Sequence, residues 1–131
     1  MNARARTSAT RWMHAAAGLE ALTGLALVVA PSLLALLLFG AELNAAGEAT
    51  GRICGLVMLC LAAGCRPRAG EDIWHQPLVP LVALSWLATA FLVVTGLRGV
   101  SVGLLLWPAA ALHLVLAVLL TWVWRSARPA S

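Results

Sequence analysis

The chain has 131 residues, of which 62% are hydrophobic and only 11% are charged. Soluble domains carry about 25% charged residues, so this composition excludes a water-soluble globular domain. The formal net charge is +4, but the arginines flank apolar segments and form no patch on a polar domain, which excludes a nucleic-acid-binding protein.

Four apolar segments are long enough to cross a bilayer, which takes roughly 20 residues in a helix. They cover residues 12–30, 45–65, 78–97 and 102–124. The loops between these segments are too short to hold a second domain. The sequence therefore predicts an all-α, integral membrane four-helix bundle, in which residues 1–131 form a single transmembrane domain.

Two prolines modify this pattern. Pro31 opens the apolar stretch 31–39, and a proline suits a first helical turn while it biases the preceding residue away from helix. We expect a break at Ala30 and a short interfacial helix over residues 31–39; the alternative is one kinked helix over residues 12–39, about 42 Å long. Pro108 frees the carbonyl of Leu104 and predicts a kink near the start of the fourth helix.

The arginines predict the orientation of the chain. Seven of the nine lie before the first segment, after the second or after the fourth: Arg4, Arg6, Arg11, Arg66, Arg68, Arg125 and Arg128. These three regions share one side of the membrane, and the positive-inside rule puts that side, with both termini, in the cytoplasm. All basic residues are Arg, a bias typical of GC-rich bacterial genomes, so we expect a multi-pass protein of a bacterial inner membrane.

A cleaved signal peptide is the alternative interpretation of the N-terminus. Its basic residues fit such a signal, but the apolar run over residues 15–40 is longer than the usual 7–15 residues. That run also contains Glu20. The first segment is therefore expected to stay in the membrane.

Glu20 lies well inside the first apolar segment, where an ionisable side chain is costly and marks a functional site by default. Small residues stand three and four positions away on either side: Ala16, Ala17, Thr23 and Gly24. Small residues let helices approach closely in lipid, where no hydrophobic effect drives their association. We therefore expect Glu20 to face a neighbouring helix.

His113 and Arg52 lie on similar small-residue stripes of the fourth and second segments, so both are expected to face inward. A rise of 1.5 Å per residue puts Glu20 and His113 within about 4 Å in height, close enough to hydrogen-bond if their helices touch. Arg52 enters from the other side and has Glu48, four residues earlier, as its nearer partner. The sequence predicts an intramembrane polar cluster, a clamp between helices or a functional site, of Glu20, His113, Arg52, Thr89 and Ser85.

The remaining reactive side chains show no chemical motif. The three His and three Cys residues match no metal-ligand spacing, and we assign no metal site and no catalytic residue. We predict a protein that is not an enzyme, and the sequence names no cofactor.

The order APSLLALLLFGAEL, then GRICGLVMLCLAAG, then WPAAALHLVLA resembles the small four-helix bacterial inner-membrane proteins called DoxX-like. The resemblance implies the four-helix membrane fold and transfers no catalytic residue, because no redox motif is present. The chain is also similar in length to small multidrug-resistance transporters, whose first helix carries an essential carboxylate where Glu20 lies. Its strong arginine asymmetry and its lack of Tyr depart from that family.

Two functional hypotheses follow from these observations. The favoured one is an accessory or structural subunit that packs in the lipid bilayer beside other membrane subunits or beside copies of itself. The alternative is a small proton-coupled transporter or ligand-binding bundle that uses Glu20 and His113. Neither hypothesis involves nucleic acid.

Overall fold

The structure, a computed structural model, describes the backbone of residues 3–67, 77–99 and 102–127 and the side chains of residues 7–67, 77–99 and 102–126. Within these ranges the chain forms five helices and no strand: α1 (Ala3–Val29), α2 (Pro31–Phe39), α3 (Ala45–Gly64), α4 (Leu78–Arg98) and α5 (Leu106–Ala127). The arginines at positions 68 and 128, and the side chains of those at positions 4 and 6, lie outside the described residues.

Four of these helices contain a stretch that is long and apolar enough to cross a membrane. The stretches are Thr7–Val29, Ala45–Gly64, Leu78–Arg98 and Leu106–Ser126. The chain is therefore a multi-pass membrane protein, and the predicted all-α bundle of four membrane-crossing helices is confirmed. α1 begins at Ala3, before the apolar segment does, because Ala and Arg are favourable helix formers.

α1 is the central helix of the bundle, since it packs against each of the other four. On one side it pairs with α3, and on the other it meets α4 and α5, which form a second close pair. Gly24 of α1 meets Gly55 of α3, while Gly51 of α3 meets Leu27 of α1, so the α1–α3 pair is antiparallel. α3 packs mainly against α1 and leaves most of its surface outside the bundle.

The contact between α1 and α3 depends on two glycines. A Cβ atom added at Gly55 would lie 2.5 Å from the backbone oxygen of Gly24, and one added at Gly24 would lie 2.8 Å from the backbone oxygen of Gly55. The two backbones therefore touch, which leaves no room for a side chain. Such close approach stabilises helix pairs in lipid through van der Waals contact.

The chain breaks at Ala30, as Pro31 predicts. Ala30 has φ −143° and ψ 64°, outside the helical region, and Pro31 occupies the first turn of α2, where its missing N–H is not needed. Gly40 ends α2 in the left-handed conformation with φ 68°, which favours glycine. α2 packs against α1, α3 and α5, and the Ser32 hydroxyl donates a 2.8 Å hydrogen bond to Glu48 of α3.

The fourth crossing helix begins at Leu106, not near residue 102 as predicted. The segment before it bonds to α2 instead: the N–H of Gly103 donates to the Leu38 carbonyl at 2.9 Å and that of Leu105 donates to the Leu37 carbonyl at 2.8 Å. These bonds satisfy carbonyls at the end of α2 that have no partner within their own helix. Pro108 consequently lies in the first turn of α5, so the kink predicted inside this helix is not required.

Two apolar clusters form the core between the helices. The larger lies at the end of the bundle that carries Arg11, Arg66 and Arg125, and we call it the basic-end cluster. It contains buried residues from α1, α4, α5 and the end of α3: Ala9, Met13, Ala16, Cys65, Leu78, Leu81, Leu116, Leu120 and Val123. The smaller, which we call the far cluster, contains Leu92, Leu106 and Ala110. Phe39 of α2 packs on the far cluster and meets Phe91 edge to face, with 6.1 Å between ring centroids.

The glycine contact makes a direct prediction. We expect Gly55→Ala to lower the free energy of unfolding by about 1–3 kcal/mol, because the new methyl group overlaps the backbone of α1. Gly18→Ala is the matched control, since no heavy atom lies within 4 Å of a Cβ there and helix propensity favours Ala by about 0.8–1 kcal/mol. Denaturant unfolding in mild detergent measures both. Equal effects of the two substitutions would contradict the close contact.

Candidate functional site

Four polar side chains, three of them buried and one half-buried, lie between the two apolar clusters. On α4, Ser85 and Thr89 follow Leu81 of the basic-end cluster and precede Leu92 of the far cluster. On α5, His113 lies between Ala110 and Leu116, which belong to the far and basic-end clusters. On α1, Glu20 lies one turn beyond Ala16 of the basic-end cluster. We call Glu20, Ser85, Thr89 and His113 the polar band.

The polar band lies near mid-depth of the bundle. At a rise of 1.5 Å per residue, each of its members is about 5 Å or less from the middle of its own membrane-crossing stretch. Glu20, Ser85 and Thr89 are buried, with exposed fractions of 2%, 1% and 7%. The bilayer supplies no water at this depth, so polar atoms here depend on protein or ligand partners.

Two atoms of the polar band have no such partner in the described part of the chain. Oε2 of Glu20 and Nδ1 of His113 are both fully buried and form no hydrogen bond. The bond that sequence heights allow between Glu20 and His113 is therefore not formed at these atoms, although α1 and α5 are in contact. By contrast, the Thr89 hydroxyl donates to the Ser85 carbonyl at 2.8 Å.

A pocket of about 270 Å³ opens beside the polar band toward the far cluster. It lies between α1, α2, α4 and α5, and its lining includes Leu19, Thr23, Leu34, Leu92, Ala109 and His113. His113 and Thr23 are its polar lining residues, and all other walls are apolar. Ligand pockets in proteins have this character, mostly apolar with a few polar groups that fix the ligand's orientation, and range from about 300 to 1,000 Å³.

Arg52 does not join the polar band. Its side chain is 48% exposed and pairs with Glu48 at 3.1 Å on the same helix, so the expectation that Arg52 faces inward is not met. The reason is that Gly51 and Gly55 occupy the side of α3 that meets Pro31 and α1, which turns Arg52 away. The Glu48 carboxylate accepts hydrogen bonds from both Arg52 and Ser32. The bond from Ser32 joins the start of α3 to α2.

Two features of the bundle were not predicted from the sequence: the pocket, and a hydrogen bond between α4 and α5. The pocket has Leu34 and Leu38 as a wall, which exists only because α2 folds back onto the segment before α5. The indole of Trp86 donates a 3.0 Å hydrogen bond to the Thr121 hydroxyl, a bond that joins α4 to α5. Only a register for the α4–α5 pair could have indicated this bond, since the two residues are far apart in sequence.

Cys65 lies just after the end of α3, and its buried side chain belongs to the basic-end cluster. Burial raises the pKa of its thiol. Burial also makes Cys65 an unreactive packing residue, whereas Cys54 and Cys60 on α3 are exposed. Among the residues that the structure describes, no three His, Cys, Asp or Glu side chains come together as a metal site requires.

Comparison of the chain with protein-family models, with curated proteins and with solved structures gives no match. The polar band and its pocket are therefore the features from which a function can be inferred.

The unpartnered Glu20 oxygen makes a prediction about stability. Replacing a buried unsatisfied group by an apolar one of similar size removes a penalty of about 1–3 kcal/mol. We expect Glu20→Met to raise the free energy of unfolding in detergent by that amount. Thr89→Val removes a satisfied hydroxyl and should lower this free energy by about 1 kcal/mol. A loss of stability in Glu20→Met would instead identify Glu20 as a clamp between helices.

Proposed function

We propose that the protein is a non-enzymatic membrane protein that binds a small lipophilic ligand within the bilayer, with His113 and Glu20 as the polar groups of the site. The observation that carries this proposal is the pair of buried, unpartnered atoms, Oε2 of Glu20 and Nδ1 of His113. A buried polar group without a hydrogen bond is costly. Ionisable residues inside membranes are rare, and they mark functional sites by default.

The alternative role for these side chains is to fix how the helices pack. A packing clamp gains its stability from hydrogen bonds between helices. Thr121 and Trp86 form such a bond between α4 and α5, whereas Oε2 of Glu20 and Nδ1 of His113 form none with any residue that the structure describes. This contrast favours a site that is completed by a ligand.

The pocket supports a particular kind of ligand. Its apolar walls suit a short hydrocarbon body, and the His113 ring is the ionisable side chain in its lining, where a polar end group would be placed. Glu20 does not line the pocket itself, but it is buried one helical turn from Thr23, which does. We therefore infer an amphiphile with one hydrogen-bonding end.

The arginines support a bacterial inner membrane with both termini in the cytoplasm. Arg11, Arg66 and Arg125 lie at one end of the bundle, where α1 begins and α3 and α5 end. An excess of Arg on one side of the membrane is typical of the cytoplasmic side. We call this end the basic end.

An accessory role beside another membrane protein is the second candidate. The observation that favours it is the position of α3, whose crossing stretch is only 11% buried in the bundle. Such a helix offers nearly its whole outer face to lipid or to a helix of another subunit. The pocket lies between α1, α2, α4 and α5, whereas a partner subunit would contact the outer face of α3. A measurement of ligand binding in the pocket therefore does not depend on subunit contact.

The ligand proposal is tested with two probes, 1-octanol and octane, added to the protein in phosphatidylcholine nanodiscs. The readout is the unfolding temperature. We expect octanol to raise this temperature more than octane does, because octanol hydrogen-bonds His113. In His113→Leu the two probes should act equally. In Ala109→Phe, which fills the pocket, neither probe should stabilise the protein.

Ala111→Phe is the matched control, since Ala111 lies two residues further along α5 and is exposed. This variant should respond to both probes as the unmodified protein does. The proposal is contradicted if octane and octanol act equally on the unmodified protein, or if Ala109→Phe and Ala111→Phe respond alike.

A further inference from the structure

A second cavity lies on the outside of the bundle between α1 and α3. It has a volume of about 390 Å³ and is floored by small residues, among them Ala17, Gly18, Ala21 and Ala62. A Cβ atom at Gly18 would have no heavy atom within 4 Å, so this part of the groove is open. We call this cavity the α1–α3 groove.

The groove ends toward mid-depth at the glycine contact. Leu59, which also lines the groove, packs its side chain against Gly24 just where the backbones of α1 and α3 meet. On the basic-end side of this contact, the small residues leave a gap between the surfaces of α1 and α3. The groove therefore runs along the membrane-crossing stretches from the basic end and stops below Gly24.

Two basic side chains stand at the basic end of the groove. His14 of α1 and Arg66, just beyond the end of α3, both line it. The antiparallel register set by Gly24 and Gly55 puts these two residues at the same level. Arg66 is exposed and has no ion pair with any carboxylate in the described part of the chain.

Arg11 adds to the positive charge of this end, and His14 adds a polar ring. Nδ1 of His14 lies 2.9 Å from the Thr10 carbonyl oxygen and donates a hydrogen bond to it, which makes Nε2 of the neutral ring an acceptor. Arg11 precedes His14 by one helical turn and is exposed. Trp12 beside it is 37% exposed, as expected for a residue at the level of lipid headgroups.

We propose that the α1–α3 groove binds one anionic phospholipid, with the phosphate at Arg66 and an acyl chain along the small residues toward Gly24. Charge complementarity selects the headgroup, because basic pockets between membrane helices attract anionic lipids. The apolar floor distinguishes a lipid from free phosphate, which would leave the groove empty. This site is separate from the pocket at His113 and does not depend on the function proposed for that pocket.

The test is native mass spectrometry of the full chain in mild detergent, titrated with phosphatidylglycerol and with phosphatidylcholine. We expect phosphatidylglycerol to bind more tightly than phosphatidylcholine with a stoichiometry of one. Arg66→Gln should weaken phosphatidylglycerol binding about fivefold, which corresponds to about 1 kcal/mol for one basic residue near the surface. Arg125→Gln, an exposed arginine at the same end of α5, is the control and should bind normally.

The acyl-chain part of the site is tested by filling the groove. Gly18→Leu should weaken binding of phosphatidylglycerol, whereas Gly64→Leu should not, because Gly64 also has open space around it but does not line the groove. Both positions are exposed, so circular dichroism should show an intact fold. Millimolar inorganic phosphate should not displace the lipid.

Three results would overturn the proposal. Equal loss of binding in Arg66→Gln and Arg125→Gln would reveal a diffuse charge effect. Equal binding by Gly18→Leu and the unmodified protein would show that no acyl chain occupies the groove. Displacement of the lipid by phosphate would show that the site recognises only the anionic headgroup and not the acyl chain.

Discussion

The structure depends on enclosing the Glu20 side chain near the middle of a bundle that has lipid on its outside. An ionisable group at this depth is stabilised only by protein around it, and lipid provides no hydrophobic force that drives helices together. Close packing must therefore supply the enclosure. α1 achieves this as the central helix: Gly24 faces α3, Met13 and Ala16 pack with residues of α4 and α5, and Glu20 is buried one turn further along.

The same enclosure explains why the interior is divided. The basic-end cluster holds α1, α4 and α5 together, and the far cluster joins α4 to α5, so the polar residues do not need to bond to one another for the bundle to form. The α2 helix then closes the far side, since its last carbonyls accept N–H groups from the segment before α5. That closure forms the pocket beside His113. A site within the bilayer thus arises where Oε2 of Glu20 and Nδ1 of His113 have no hydrogen-bond partner among the described residues.

Hydrophobic segment lengths and Pro31 were sufficient to predict the all-helical fold, the four crossings and the break at Ala30, because each depends on residues close in sequence. Small neighbours of Glu20 also predicted that it faces a helix. The direction of Arg52 and the start of α5 depend on contacts between distant segments: Gly51 against Pro31, and Gly103 against α2. The local sequence does not show which residues of two distant segments will meet. For this reason neither the pocket nor the exposure of Arg52 could be predicted.

Oxygen accessibility of spin labels along α1 tests the enclosure of Glu20 most directly. Single cysteines placed at successive positions from Ala16 to Leu25 in nanodiscs should give a helical pattern, with a minimum at Glu20 and a maximum at Leu22, which is 66% exposed. Oxygen dissolves in lipid, so a label enclosed within the bundle relaxes slowly while one that faces acyl chains relaxes fast. Accessibility at position 20 as high as at position 22 would contradict this account of the fold.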